Sequence, residues 1–343
     1  MTPNRSYRNV FIGIGILLLI CFIINISLGS VYIPWLDTLR SLIGATVDKE
    51  SWRHIIIAYR LPKAITAILV GSGLGVSGLL MQTLFRNPLA GPFVLGISSG
   101  ASLGVALLLL GGSFAGSVLS VFLISKWSLV IAASLGSILV LIAVMIVSVR
   151  IRDTMAILII GLMFGSITTA IVSVLSYFAP AEQLQQFIFW GFGSLGNLTW
   201  NDLLILSSIT LIGLLLAFAA IKPLNTLLLG ENYAKSLGLS IKKSRILILI
   251  ATSLLAGSIT AFAGPIAFVG LAVPHLTRQL FHTSDHKILL PAVILFGSII
   301  MLICDTIAQV PASDFTLPIN AITSLIGAPV VIWLLVRKRK MLF

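Results

Sequence analysis

The stretch TMAILIIGLMFGSITTAIVSVLSYF, residues 154–178, contains no Asp, Glu, Lys or Arg. A bilayer's hydrocarbon core is about 30 Å thick and a helix rises about 1.5 Å per residue, so roughly 20 apolar residues cross it. Lipid offers the backbone no hydrogen-bond partner, so a stretch of this kind spans as an α-helix that satisfies its own amides. The pattern recurs along the chain. Apolar segments lie near 10–29, 63–83, 92–111, 128–149, 154–178, 203–221, 245–263, 266–282, 287–308 and 318–336. The segment 266–282 is the shortest and carries Pro274, His275 and Arg278 towards its end. The expectation is an all-α polytopic membrane protein with ten transmembrane helices, forming one transmembrane domain over 1–343.

Composition points the same way. Of 343 residues 58% are hydrophobic and 9% charged, where a soluble domain carries about a quarter charged residues. The net charge of +12 would raise nucleic-acid binding in a soluble chain. In a membrane protein, basic residues gather in cytoplasmic loops instead, and no nucleic-acid partner is expected. With a cytoplasmic N-terminus, ten spans place 16 of the 22 Lys and Arg inside, including Arg86, Arg150, Arg152, the 222–245 loop and the tail at 337–340. Both termini are then cytoplasmic. The first segment follows Arg5 and Arg8, exceeds a signal-peptide apolar region and ends at a weak cleavage site, Ser27-Leu28-Gly29; it reads as a retained signal-anchor. Cys21 and Cys304 lie inside apolar segments and read as packing residues.

Three connections hold further structure. Residues 30–62 carry Trp35, Trp52 and Tyr59, suited to a headgroup zone. Residues 182–190 can form a short amphipathic helix ending in the glycines of 191–196. In the loop 222–245, Pro223 can start a helix, Gly230 breaks it, and residues 231–237 can form a second that stops at Gly238. Two helices too short to span can serve a cytoplasmic partner or lie folded on the membrane surface; the residues support both equally. Gly91-Pro92 opening the third segment echoes Gly264-Pro265 opening the eighth, which an inverted repeat or chance in a Gly-rich chain would give. Gly71 and Gly75, Gly100 and Gly104, and Gly161 and Gly165 each place two glycines on one helix face, the pattern of close helix approach.

Catalytic chemistry is sparse. No G-x-x-x-x-G-K-[ST] phosphate loop occurs, so any ATP and Mg²⁺ belong to another chain. His282 and His286 have helical metal-pair spacing, but they fall in a loop and Thr283 stands where a zinc protease needs Glu; no metal site is expected. Asp305 is the one acid well inside a segment and reads as a helix cap or a partner of nearby backbone. An ion-coupled carrier would bury several ionisable groups along its path. An intramembrane enzyme would need its His pair or paired acids within a span. This chain has neither pattern.

Longer motifs then carry a resemblance. They include Arg60-Leu61-Pro62-Lys63, residues 78–90 (GLLMQTLFRNPLA), 95–101 (LGISSGA), 189–194 (FWGFGS), Leu229-Gly230-Glu231 with Ala234 and Leu237-Gly238, 264–275 (GPIAFVGLAVPH) and 325–329 (LIGAP). In this order along nearly the whole chain, they resemble the FecCD/BtuC-like permeases. These are the membrane subunits of bacterial ABC importers for iron siderophores, haem and vitamin B12.

The resemblance implies a type II ABC importer permease in the cell inner membrane, with an inverted repeat relating spans 2–5 to 7–10. It implies a homodimer of permeases or a pair of similar ones, two separate ATPase subunits and an extracytoplasmic substrate-binding protein. No cofactor is held by the permease. The ATPase would dock on 228–239, with Leu229, Gly230, Glu231, Ala234, Leu237 and Gly238 as the matching residues. Span 5 would line the pathway through Gly165, Thr168 and Thr169, behind an inner gate at Asp153, Thr154 and Met155. The hydroxyls of Ser166, Thr168, Thr169 and Ser173 can either line that channel or bond to carbonyls of their own helix. Arg60 and Lys63 match binding-protein docking positions, whereas Gln309 departs from a usually basic one and Asp314 lies in the neighbouring outer loop. A ferric siderophore or related iron chelate is the expected cargo, with vitamin B12 or haem as the alternative.

Overall fold

The computed structural model describes residues 4–111, 126–151, 154–311, 313 and 315–336. Among them every regular element is helical. The helices are α1 (Asn4–Ser27), α2 (Trp35–Leu42), α3 (Glu50–Ile55), α4 (Leu61–Leu84) and α5 (Ile97–Leu109). They continue as α6 (Lys126–Arg150), α7 (Thr154–Phe178), α8 (Ala181–Gly191), α9 (Trp200–Ala219), α10 (Ile221–Leu227) and α11 (Glu231–Ser236). The last are α12 (Ile241–Ala263), α13 (Val269–Phe281), α14 (His286–Ala308) and α15 (Ile319–Val336). Each apolar segment of the sequence holds one helix. Among the described residues seven helical stretches are long and apolar enough to cross a membrane, while α5, α13 and the apolar part of α15 are shorter.

The second segment begins earlier than its hydropathy indicates. A π-helical turn at Ile56–Arg60 joins α3 to α4, so helix runs from Glu50 to Leu84. The charged residues Glu50, Arg53 and Arg60 hid this extension from a hydropathy reading.

The helices pack into two compact units. The first comprises residues up to Gly75, Ser194–Ser208 and Ile266 onward; the second comprises Val76–Gly193 and Ile209–Pro265. The first therefore joins the start of α4 to α13, α14 and α15. The second joins α12 to α5, α6 and α7. Each unit draws helices from both halves of the sequence.

Glycines make close approaches inside each unit. In the first, Gly71 of α4 and Gly297 of α14 meet backbone to backbone, so a Cβ on either would collide with the other's carbonyl oxygen. The Ser298 hydroxyl donates to the Ile68 carbonyl beside them at 3.3 Å. In the second, Gly100 of α5 and Gly136 of α6 meet in the same reciprocal way, and Gly104 approaches the Ala132 carbonyl. Without a hydrophobic drive in lipid, such close approach gains dispersion contacts that larger side chains would block.

The two short helices have irregular entries. A 3₁₀ turn at Pro92–Leu95 and Gly96 at φ 73° precede α5. Phe268 at φ 65° precedes α13. Each entry is held by the last helix of its own group of three. Gly96 sits against the Gly161 carbonyl, 3.2 Å from where its Cβ would be, in α7. Phe268 sits against Gly327 of α15, and the Ala267 amide donates to Asn320 Oδ1 at 3.0 Å. Gly161 and Gly165 thus serve a turn rather than a plain helix crossing.

Candidate functional site

The loop expected to meet an ATPase lies in the second unit. After α10, the chain reverses through Gly230 at φ 99°, a backbone state that other residues adopt only with strain. There α11 begins with Glu231 and ends before Gly238, itself at φ 81°. Ala234 is fully buried beneath the short helix, while Leu229, Tyr233 and Leu237 are 60%, 57% and 60% exposed. An apolar surface of this kind, on an element too short to span a bilayer, suits either a protein partner or the membrane surface.

Sequence reasoning missed the group that ties this element to the rest of the unit. Arg245, in the second turn of α12, is 7% exposed. Its Nη2 lies 3.3 Å from Glu231 Oε1, and its Nη1 donates to the Ile151 carbonyl at 3.1 Å. Arg86, just past the end of α4, places its Nη1 3.6 Å from where a Cβ on Gly230 would be. The signal available in sequence was the acidic residue opening one short helix and a basic residue in the first turns of the next. Counting Arg245 only as a cytoplasmic charge concealed it.

Of the pathway residues, Asp153 lies outside the described residues, and Thr154 and Met155 open α7. Thr168 is buried, and its hydroxyl donates to the Gly165 carbonyl at 2.8 Å. Thr169 is exposed and donates to the same carbonyl at 2.9 Å. Ser166 and Ser173 donate to Leu162 and Thr169 carbonyls, at 3.1 and 2.9 Å. Between the two roles open to these hydroxyls, their donor protons are committed to their own helix. What α7 exposes is chiefly apolar: Leu162, Met163, Ile167, Ile171 and Val174.

The docking candidates Arg60 and Lys63 belong to the first unit, and both have partners within it. The Arg60 guanidinium donates to the Ile26 and Ser27 carbonyls at 2.9 and 2.8 Å and to that of Val31. It caps the C-terminal end of α1, where unpaired carbonyls and the helix dipole favour a cation. Lys63 Nζ lies 3.1 Å from Asp305 Oδ1, and Asp305 is 2% exposed. Asp305 Oδ2 accepts from Asn25 Nδ2 at 2.9 Å and from Gln309 Nε2 at 2.8 Å. The expected backbone-capping role of Asp305 is thereby corrected: side chains from α1, α4 and α14 converge on it. Gln309 is a neutral donor to this carboxylate. Asp314 lies outside the described residues.

His282 is exposed just past α13, whereas His286 is buried at the start of α14. Among the described residues no group of three His, Cys, Asp or Glu side chains is placed to hold a metal ion.

Known proteins resemble the chain over nearly its whole length. The chain is 35% identical over 324 residues to the hemin transport system permease protein HmuU of Yersinia pestis, covering 94% of this chain and 95% of that protein. It is 35% identical over 343 residues to the vitamin B12 import system permease protein BtuC of Klebsiella pneumoniae, covering 99% and 96%. A solved structure of an inward-facing metal-chelate type ABC transporter superposes with a TM-score of 0.83 at 30% identity, covering 97% of this chain and all of that one. The FecCD transport family profile matches residues 17–337. A multi-pass helical chain with irregularly entered short helices and permease relatives over nearly its full length is a transport subunit, and it belongs to the FecCD transport family.

Proposed function

We propose that this chain is the membrane subunit through which an ATP-driven importer passes a ferric siderophore or related iron chelate into the cell. The observation that carries the reading is the α10–α11 element: exposed Leu229, Tyr233 and Leu237 on a short-helix platform anchored by buried Ala234 and by the Glu231–Arg245 pair. The sequence has no phosphate loop, so two copies of a separate ATPase supply ATP and Mg²⁺ chemistry. Leu229, Gly230, Glu231, Ala234, Leu237 and Gly238 form the docking element. A second permease copy completes the pathway, which runs along the α7 face near Gly165, Thr168 and Thr169 behind a gate at Asp153, Thr154 and Met155.

An external binding protein delivers the chelate to an outer face organised by Arg60 and Lys63. Since both cations have internal partners, they shape that face more than they reach from it. A pathway of modest polarity suits a bulky chelate, because tight binding would slow release. The iron-chelate reading draws support from the metal-chelate type transporter. The hemin and vitamin B12 relatives support haem or cobalamin as the second reading.

Co-expression with candidate ATPases tests the assignment. A complex is expected to co-purify and to drive uptake of binding-protein-loaded ferric chelate into proteoliposomes only with ATP. Disruptive changes at Gly230 and Glu231 that spare both ATPase binding and uptake would remove the loop assignment, and ATP-independent uptake would remove the importer class. Thermal shifts of the cognate binding protein with iron chelates, haem and cobalamin decide the cargo.

A further inference from the structure

We infer that α2 is an interfacial helix, lying along the outer surface of the bilayer with its exposed face in the headgroup zone of phospholipid. Its side chains are distributed inside out for a helix in water. At about 100° per residue, Asp37, Thr38 and Ser41 fall on one arc, and Trp35, Leu36, Leu39 and Ile43 on the opposite one. The polar arc is the buried one. On the apolar arc Trp35, Leu36 and Ile43, the last just past the helix, are 56%, 48% and 79% exposed.

The buried polar groups need no water. The Ser27 hydroxyl donates to Thr38 Oγ1 at 3.0 Å, Thr38 donates to the Pro34 carbonyl at 3.2 Å, and Ser41 to the Asp37 carbonyl at 2.8 Å. Asp37 Oδ1 accepts from Arg40 Nη1 at 3.1 Å. With its polar face satisfied inside the first unit, α2 turns outward only surface that water solvates poorly.

Level, continuity and residue type identify phospholipid as what covers that surface. Ser27, which holds Thr38, is the last residue of α1, and Tyr7–Ser27 is long and apolar enough to cross a membrane. The bond between them sets α2 where the hydrocarbon ends. The apolar face of α2 continues a flank of α1 that exposes Leu19, Ile20 and Ile24, side chains suited to acyl chains. Tyr32, Trp35 and Tyr59 are exposed too, and their apolar rings with polar tips favour the membrane–water boundary. Arg40 stands at the edge of the apolar arc with its side chain half exposed. From there its remaining donors can reach a lipid phosphate while its stem stays against apolar surface. The helix thereby rests the outer end of the first unit on the membrane rather than presenting it to a soluble partner.

Spin labels test the assignment in the full chain, reconstituted into vesicles of phosphatidylcholine and phosphatidylglycerol after Cys21→Ala and Cys304→Ala remove the native thiols. Labels at Leu36→Cys and Ile43→Cys are compared with one at Asp48→Cys, an exposed acid in the same outer connection. Oxygen dissolves in lipid, whereas a nickel chelate stays in water. The ratio of oxygen to nickel collisions is expected to be at least fivefold higher at the Leu36 and Ile43 positions than at Asp48. Equal ratios would place the face in water and overturn the proposal. Rare collisions with both reagents would mean that a second copy or another protein covers the face, and would overturn it as well. Should the thiol-free chain not reconstitute, Trp35 carries the test in the chain with its native cysteines. In vesicles of dibrominated phosphatidylcholine, the fluorescence lost on Trp35→Phe is expected to be at most half that lost in unbrominated vesicles. The same loss in both overturns the proposal.

Discussion

Lys63 and Asp305 illustrate how much of the first unit depends on one carboxylate. With Asp305 2% exposed, its charge is stabilised by Lys63 Nζ at 3.1 Å and by the amides of Asn25 and Gln309. Removing the cation alone strands a buried charge, which costs about 3–5 kcal/mol in comparable sites. Lys63→Met is therefore expected to lower the thermal unfolding midpoint of the purified protein sharply, and Lys63→Met with Asp305→Asn to recover most of the loss. A double variant no more stable than the single would show that the pair is not the source of the effect. Glycine positions make a second residue-level expectation. Gly71→Val drives a side chain into the Gly297 carbonyl, an overpacking cost of about 1–3 kcal/mol or more. A reduced yield of monodisperse protein in size-exclusion chromatography checks it.

Among the elements, α11 is the one whose surface and support serve different ends. Leu229 and Leu237 face outward, whereas Ala234 and the Glu231–Arg245 pair hold the helix down. Leu229→Asp combined with Leu237→Asp is expected to weaken ATPase binding at least tenfold, about 1.4 kcal/mol. Stability should change by no more than about 0.5 kcal/mol, as for other exposed positions. Both are read from co-purification and thermal unfolding on one sample. The breaks around α11 were legible in the sequence because Gly230 and Gly238 punctuate an otherwise helical run. The apolar segments were legible for the same kind of reason: lipid leaves helix as the only backbone solution. The partners of individual side chains were not. Nothing local distinguishes Asp305 as a capping residue from Asp305 as the counter-ion of a lysine 242 positions earlier. Likewise the glycine pairs announced close packing, but only the fold says that Gly71 meets Gly297 and that Gly161 shelters Gly96.

For the molecule as a whole, the charge distribution predicts a topology. A ten-span arrangement with a cytoplasmic N-terminus would put sixteen of the 22 basic residues on the cytoplasmic side. Both Asn232 and Gln185 are exposed, in α11 and α8. Asn232→Cys is expected to resist an impermeant maleimide applied to the outside of intact cells, and Gln185→Cys to react with it. Labelling of Asn232→Cys from outside would invert the orientation. One property of the architecture also bears on how the protein comes into being. Because α4 is completed by α13–α15, and α12 completes α5–α7, neither unit can close while only the first half of the chain has been made. Early helices must wait in the bilayer with glycine faces such as Gly71 and Gly75 unmatched, open to pairing with the wrong neighbour. Synthesis halted after α9 should leave a product that is inserted yet cleared by membrane proteases. Supplying the second half as a separate polypeptide should rescue it, making the interleaved halves a built-in check that only finished chains persist.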